Sequence, residues 1–295
     1  PRPPRSVMDP TLILQAVVSG VLASGLYALV SVGLALAIGV IGIVNFAHGE
    51  FFMIGAFLTY QLFVSFGVDP VLSLLFVAPA LFLLGAVIYR TTIQHVLEAP
   101  ELNQMLLTFG IGIVLQNLAL MIWGGDPVSI AGIPYRSVGF RVAGISVGLV
   151  SLVSFALSVT LVGGLYLALS RSRLGRAMRA VAQNRTGASL VGLEVNRVYL
   201  VAFALSALLA GIGGVMIAVI QSPTPTIGLA FTLKAFSIVV LAGLGNIRGI
   251  LAASLVVALS ESLVATLVPN GGTLSNAVFF AIIFLALVWR SRRVA

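Results

Sequence analysis

Residues 12–46 read Leu12-Ile-Leu-Gln-Ala-Val-Val-Ser-Gly-Val-Leu-Ala-Ser-Gly-Leu-Tyr-Ala-Leu-Val-Ser31, then Val32, then Gly33-Leu-Ala-Leu-Ala-Ile-Gly-Val-Ile-Gly-Ile-Val-Asn-Phe46. The first run alone has the roughly 20 apolar residues that a helix needs to cross a bilayer at about 1.5 Å per residue. Whether the second run is a separate crossing decides the topology of everything after it. Eight further runs follow, at Phe51–Phe66, Val71–Tyr89, Met105–Trp123, Ile145–Leu169, Val198–Ile220, Phe231–Gly245, Ile250–Val268 and Ala277–Trp289. The second run and Phe231–Gly245 are short, and each reads as a broken or partly re-entrant span that surrounding protein would bury. Of the 295 residues 60% are hydrophobic and 8% charged. A soluble domain carries about a quarter charged residues, so the chain is expected to be an all-α integral membrane protein.

Counting ten crossings from a cytoplasmic N-terminus gives a strong charge asymmetry. One side then holds Arg2, Arg5, Arg90, Arg171, Arg173, Arg176, Arg179, Arg185, Arg197, Arg248, Arg290, Arg292 and Arg293, and the other only Arg136 and Arg141. That is the positive-inside pattern, with both termini and the loop Asn45–Glu50 in the cytoplasm. The net charge of +8 is thereby explained without nucleic acid. No cysteine is present, and His48 and His95 lack the spacing of a metal motif, so no metal site is expected. The first run is read as a retained helix, since no small-residue cleavage site follows it. Residues 1–295 read as a single transmembrane domain.

Ser170–Arg197 is the longest polar stretch. Met178, Val181 and Ala182 give one apolar face between Arg176 and Gln183, and Gly187 and Gly192 allow turns. A short amphipathic helix at the cytoplasmic face follows. It is either a basic loop that sets orientation and touches lipid headgroups, or a docking element for another subunit.

Ionisable groups inside spans are costly and mark candidate sites. Lys234 lies twelve residues before Asn246, and Glu261 thirteen after Arg248. Both therefore sit roughly 18 to 20 Å from the same turn, level in the bilayer, and are expected to form a buried ion pair. That pair is either a structural clamp or a border of the substrate path. Glu50, with Asn45 and His48, sits where a helix N-terminus would favour a carboxylate. Gln221–Gly228 carries two prolines and is either a stiff outer loop or a re-entrant lip. The outer loop Gly124–Gly144, with Asp126, Tyr135, Arg136 and Arg141, is the exposed candidate for touching a soluble binding protein. Trp123 and Trp289 read as interfacial anchors.

Three stretches carry a family likeness. They are Val44-Asn-Phe-Ala-His-Gly-Glu-Phe-Phe-Met-Ile-Gly-Ala56, Arg176-Ala-Met-Arg-Ala-Val-Ala-Gln-Asn184 with Ala188, Gly192 and Glu194-Val-Asn-Arg197, and Leu233-Lys-Ala-Phe-Ser-Ile-Val-Val-Leu-Ala-Gly-Leu-Gly-Asn-Ile-Arg-Gly249. In this order they resemble the permeases of branched-chain amino acid ABC importers, the LivH/LivM family, and the LivH-type subunit in particular. Arg248 departs from the small residue or proline that the family pattern has there. The resemblance implies an ABC importer permease fold and a segment 170–197 that couples to an ATPase through Arg176, Arg179, Ala180, Gln183, Asn184, Ala188 and Gly192. It further implies a translocation path or gate at Asn45, His48 and Glu50, which Lys234 and Glu261 could share. The implied partners are a second, LivM-like permease in a heterodimer, two ABC ATPase subunits and a periplasmic amino-acid-binding protein, in the bacterial inner membrane. The only lysine, Lys234, sits in no phosphate-binding loop. ATP and Mg are thus expected on the partner ATPases, and this chain is expected to be no enzyme. Competing readings are the same architecture carrying urea, short amides or other amino acids, an ion-coupled secondary transporter, and a membrane enzyme for lipid-linked substrates. Its eight acidic residues are scattered, against the last.

Overall fold

Nothing in residues 12–41 interrupts a helix: no proline, and at Val32-Gly33 only a single neighbouring polar residue, Ser31. In the computed structural model, which describes residues 10–142, 144–243 and 246–268 together with 271, 274, 280 and 281, the two runs are one helix. α1 spans Pro10–Ile41 and is about 48 Å long at 1.5 Å per residue. The turn expected near Gly33 does not form. A turn at that depth would strand backbone N–H and C=O groups away from water, each at a cost of several kcal/mol, so the helix continues.

The chain then folds back through an extended stretch into α2 (His48–Phe66), which ends at a left-handed Gly67. α3 (Leu74–Thr91) and α4 (Glu101–Trp123) follow. A small antiparallel hairpin amends the all-α expectation: β1 (Gly139–Val142) pairs with β2 (Ile145–Gly148), Phe140 opposite Val147. The sequence run that starts at Ile145 therefore begins as a strand, because Gly144 turns the chain and Ile145 and Val147 are β-branched. Its helix, α5, covers Leu149–Arg171. α6 (Arg173–Gln183) and α7 (Arg185–Leu190) make an elbow. α8 (Val195–Ile220), α9 (Ile227–Ala242) and α10 (Ile247–Leu267) complete the described helices. Seven of these elements are long and apolar enough to cross a membrane, with α9 a shorter apolar helix. The last run, Ala277–Trp289, lies outside the described residues apart from Phe280 and Ala281.

α8 is the hub. In its most apolar stretch 83% of residues are buried, against 17% in α5 and 22% in α4, so the latter two present their sides to lipid. Small residues let α2 press on α8. A Cβ on Gly55 would lie 2.3 Å from the Gly211 carbonyl oxygen, and one on Gly214 2.0 Å from that of Phe52. In lipid, where apolar surface gains little by associating, such backbone contact is what holds helices together.

The two faces of the bundle can be told apart. At the start of α1, Gln15 donates to the Ser146 carbonyl (3.0 Å) and accepts from its N–H (2.8 Å). From that hairpin α5 runs the full depth to Arg171, where α6 begins. The start of α1 and the α6–α7 elbow thus lie on opposite faces. This corrects the expectation of a shared face, and the cause is the single crossing of α1. On the elbow face stand Arg90, Arg171, Arg173, Arg176, Arg179, Arg185, Arg197 and Arg248, and on the other Arg136 and Arg141. Arg2, Arg5 and the arginines after 289 lie outside the described residues.

Candidate functional site

Lys234 on α9 and Glu261 on α10 meet as their spacing from the Asn246–Arg248 turn predicts. Lys234 Nζ donates to Glu261 Oε1 at 2.7 Å and to the Tyr27 hydroxyl at 2.9 Å, and that hydroxyl donates to Glu261 Oε2 at 2.7 Å. The side chains of Lys234 and Glu261 keep 13% and 18% of their surface. The ammonium also lies 5.0 Å from the centre of the Tyr27 ring, within cation–π range. Tyr27, supplied by α1, closes the triangle. Sequence reasoning missed it, although a lone tyrosine mid-span is a usable signal, since a buried phenol needs a partner.

Asn45, His48 and Glu50 were expected in a cytoplasmic loop. They are buried instead, with exposures of 1%, 0% and 4%. The segment climbs back beside α1, so that His48 Nε2 lies 2.9 Å from the Val30 carbonyl. A carbonyl only accepts, so Nε2 carries the proton and Nδ1 accepts from the Ser206 hydroxyl at 3.3 Å. Val30 stands eleven residues before the end of α1, about 16 Å into the bundle. Two threonines from other helices hold the fold-back. Gly49 N–H donates to Thr232 Oγ1 at 2.8 Å, and Phe46 N–H to Thr108 Oγ1 at 3.2 Å.

Glu50 occupies the first turn of α2 and lies over Gly228 in the first turn of α9, where a Cβ would come within 2.4 Å of Oε2. Two helix N-termini, each with partial positive charge, thus flank one carboxylate. Among the described residues its Oε2 has no hydrogen-bond partner. Asn45 accepts from Ala47 N–H at 3.0 Å through Oδ1, while its Nδ2 is likewise without a partner.

On the elbow, Ser172 caps α6 by accepting from Gly175 N–H, and Asn184 caps α7 by accepting from Gly187 N–H at 2.8 Å. α6 therefore starts three residues earlier than its apolar pattern suggested. Asn184, rather than Gly187, makes the corner. Met178 and Val181 are buried, Ala182 is not, and Gly192 takes the left-handed conformation that ends the elbow. Of the expected coupling residues, Arg176 and Gln183 are exposed and Ala180 half-buried. Ala188 is buried, and Arg179 turns back to the Leu169 carbonyl at 2.7 Å. The elbow instead projects Leu190 and Val191, 83% and 78% exposed. Two aliphatic side chains standing off a basic, solvent-facing tip need a cover.

The outer loop divides as well. Tyr135 is tied to Asp69, donating at 2.9 Å to Oδ2. Burial, and then that hydrogen bond, hold its phenol above the usual range. Arg136 donates to the Ile130 carbonyl at 2.6 Å. Asp126 and Arg141 are exposed, with Phe140 and Val142 beside them on the hairpin. Trp123 donates to Gln61 at 2.9 Å; Trp289 lies outside the described residues. Among the described residues no group of acidic or histidine side chains could hold a metal ion.

A family model described as the permease component of the branched-chain amino acid transport system matches residues 16–287. The chain is 30% identical to the high-affinity branched-chain amino acid transport system permease protein LivH of Salmonella typhimurium, over 93% of this chain and 92% of that protein. It is 29% identical to the corresponding protein BraD of Pseudomonas aeruginosa, over 94% of each. To the probable permease LivH of Methanocaldococcus jannaschii it is 26% identical over 83% of this chain and 78% of the other. No solved structure matches significantly.

Proposed function

The chain belongs to the family of permease components of branched-chain amino acid transport systems, and we propose that it forms half of the channel of an ATP-driven importer for branched-chain or similar hydrophobic amino acids in the inner membrane. The match over residues 16–287 carries this reading. The second half is a related, LivM-like permease. ATP and Mg are bound by two separate ATPase subunits, and a periplasmic binding protein delivers the cargo near Asp126 and Arg141, with Tyr135 and Arg136 bracing the loop. The arginine-rich elbow face is cytoplasmic, in keeping with the positive-inside rule. The start of α1 then lies outside.

In this scheme the ATPase covers Leu190 and Val191, beside Arg176 and Gln183, while Asn184, Ala188 and Gly192 hold the elbow's shape and Ala180 and Arg179 seat α6. The gate is the buried fold-back at Asn45, His48 and Glu50, and the Lys234–Glu261–Tyr27 triangle is the clamp that holds α9 and α10 on α1. Replacing both Leu190 and Val191 by Ser tests the coupling assignment. In vesicles holding the complete importer, ATP-driven uptake of labelled leucine is expected to fall at least about tenfold. Losing a buried aliphatic contact on each of two residues removes 1.4 kcal/mol or more. Leucine uptake by this chain alone on a sodium or proton gradient would overturn the ATP-driven reading.

A further inference from the structure

Arg248 takes no part in the transport scheme, yet it shapes a feature of its own. Asn246 caps α10 by accepting from Gly249 N–H, which sends the Arg248 side chain sideways across Tyr166 of α5. The guanidinium lies 5.9 Å from the ring centre and donates to the phenol at 3.3 Å. Together they form the mouth of a cavity of about 480 Å³ under α6, between α1 and α5. Ala35, Leu36, Val40 and Leu165 make its wall, and Arg179 lines it from the α6 side. Among the described residues no carboxylate lines it. Arg179 spends two donors on the end of α5; a guanidinium has five.

We infer that this cavity binds an anionic phospholipid, its phosphate between Arg248 and Arg179 and one acyl chain along the last turns of α1. On the proposed topology, on which this inference rests, the junction where α5 ends and α6 begins falls at headgroup level. Its aliphatic wall continues up α1 and α5 into hydrocarbon depth, beyond the reach of a soluble subunit. Basic pockets between helices at the cytoplasmic interface suit such headgroups. Two guanidinium groups with no neighbouring carboxylate select an anionic head over a zwitterionic one, and the planar fork matches phosphate oxygens.

The test uses the full-length chain in vesicles of phosphatidylcholine with a minor share of phosphatidylglycerol, extracted gently, with the retained lipid identified by mass spectrometry. Phosphatidylglycerol is expected to be enriched over its share in the vesicle. Arg248→Gln should lower that enrichment about fivefold, as loss of one basic residue near a membrane surface does. Arg248→Lys should keep most of it. Gly39→Leu, which fills the cavity from an exposed position of α1 and improves helix propensity, should abolish retention of lipid there. Equal retention of both lipids by the parent protein, or enrichment unchanged in Arg248→Gln or in Gly39→Leu, would overturn the assignment.

Discussion

Two polar clusters sit within the helices of this protein, and they differ in whether their hydrogen bonds close. In the Lys234–Glu261–Tyr27 triangle each group serves the other two, at 2.7 to 2.9 Å. In the fold-back, His48 is satisfied by Val30 and Ser206, but Glu50 Oε2 and Asn45 Nδ2 are not. Leaving a buried polar atom unmade costs about 1–3 kcal/mol. The triangle thus has the closed bonding that a clamp needs, whereas the fold-back leaves two polar atoms unpaired among the described residues.

Four variants test the contrast. Lys234→Met has the largest expected effect: it leaves a carboxylate buried beside a phenol and should cost about 3–5 kcal/mol. The loss would be read as protein missing from the monodisperse peak in detergent. The double variant Lys234→Met with Glu261→Met should recover most of it. If the double variant is as poor as the single, the triangle is no self-contained clamp. Gly228→Ala comes second, at about 1–3 kcal/mol, because its methyl group meets the Glu50 carboxylate and the two helix ends must part. A thermal midpoint equal to that of the parent would show that Glu50 is not packed there. Glu50→Gln has the smallest effect on stability. It keeps the shape and removes a charge whose Oε2 is unpartnered, so the midpoint should stay within about 1 kcal/mol of the parent or rise. A loss as large as that of Lys234→Met would erase the distinction between the clusters.

The sequence made some of this legible and hid the rest for physical reasons. Apolar length alone locates α3, α4, α5, α8 and α10, because lipid permits little else. The depth of Lys234 and Glu261 follows from counting residues on either side of one turn. The continuity of α1 at Val32-Gly33 does not follow from local pattern, since glycine inside a lipid-embedded helix is ordinary and breaks nothing. Asn45, His48 and Glu50 look like a surface loop because they are polar. Only Val30 and Ser206, which hold His48, and Thr108 and Thr232, which hold the Phe46 and Gly49 N–H groups, from 18 to 183 positions away, bring them inside. Leu190 and Val191 stand exposed at the end of α7, a placement that their apolar side chains do not reveal.

The unbroken α1 has a mechanical consequence. Its first turns are tied to the hairpin at Ser146 on one side of the membrane, and its last turns lie beneath α6 on the other. With no break along that span, a displacement of the elbow that reached α1 would be carried by one continuous helix toward the opposite face.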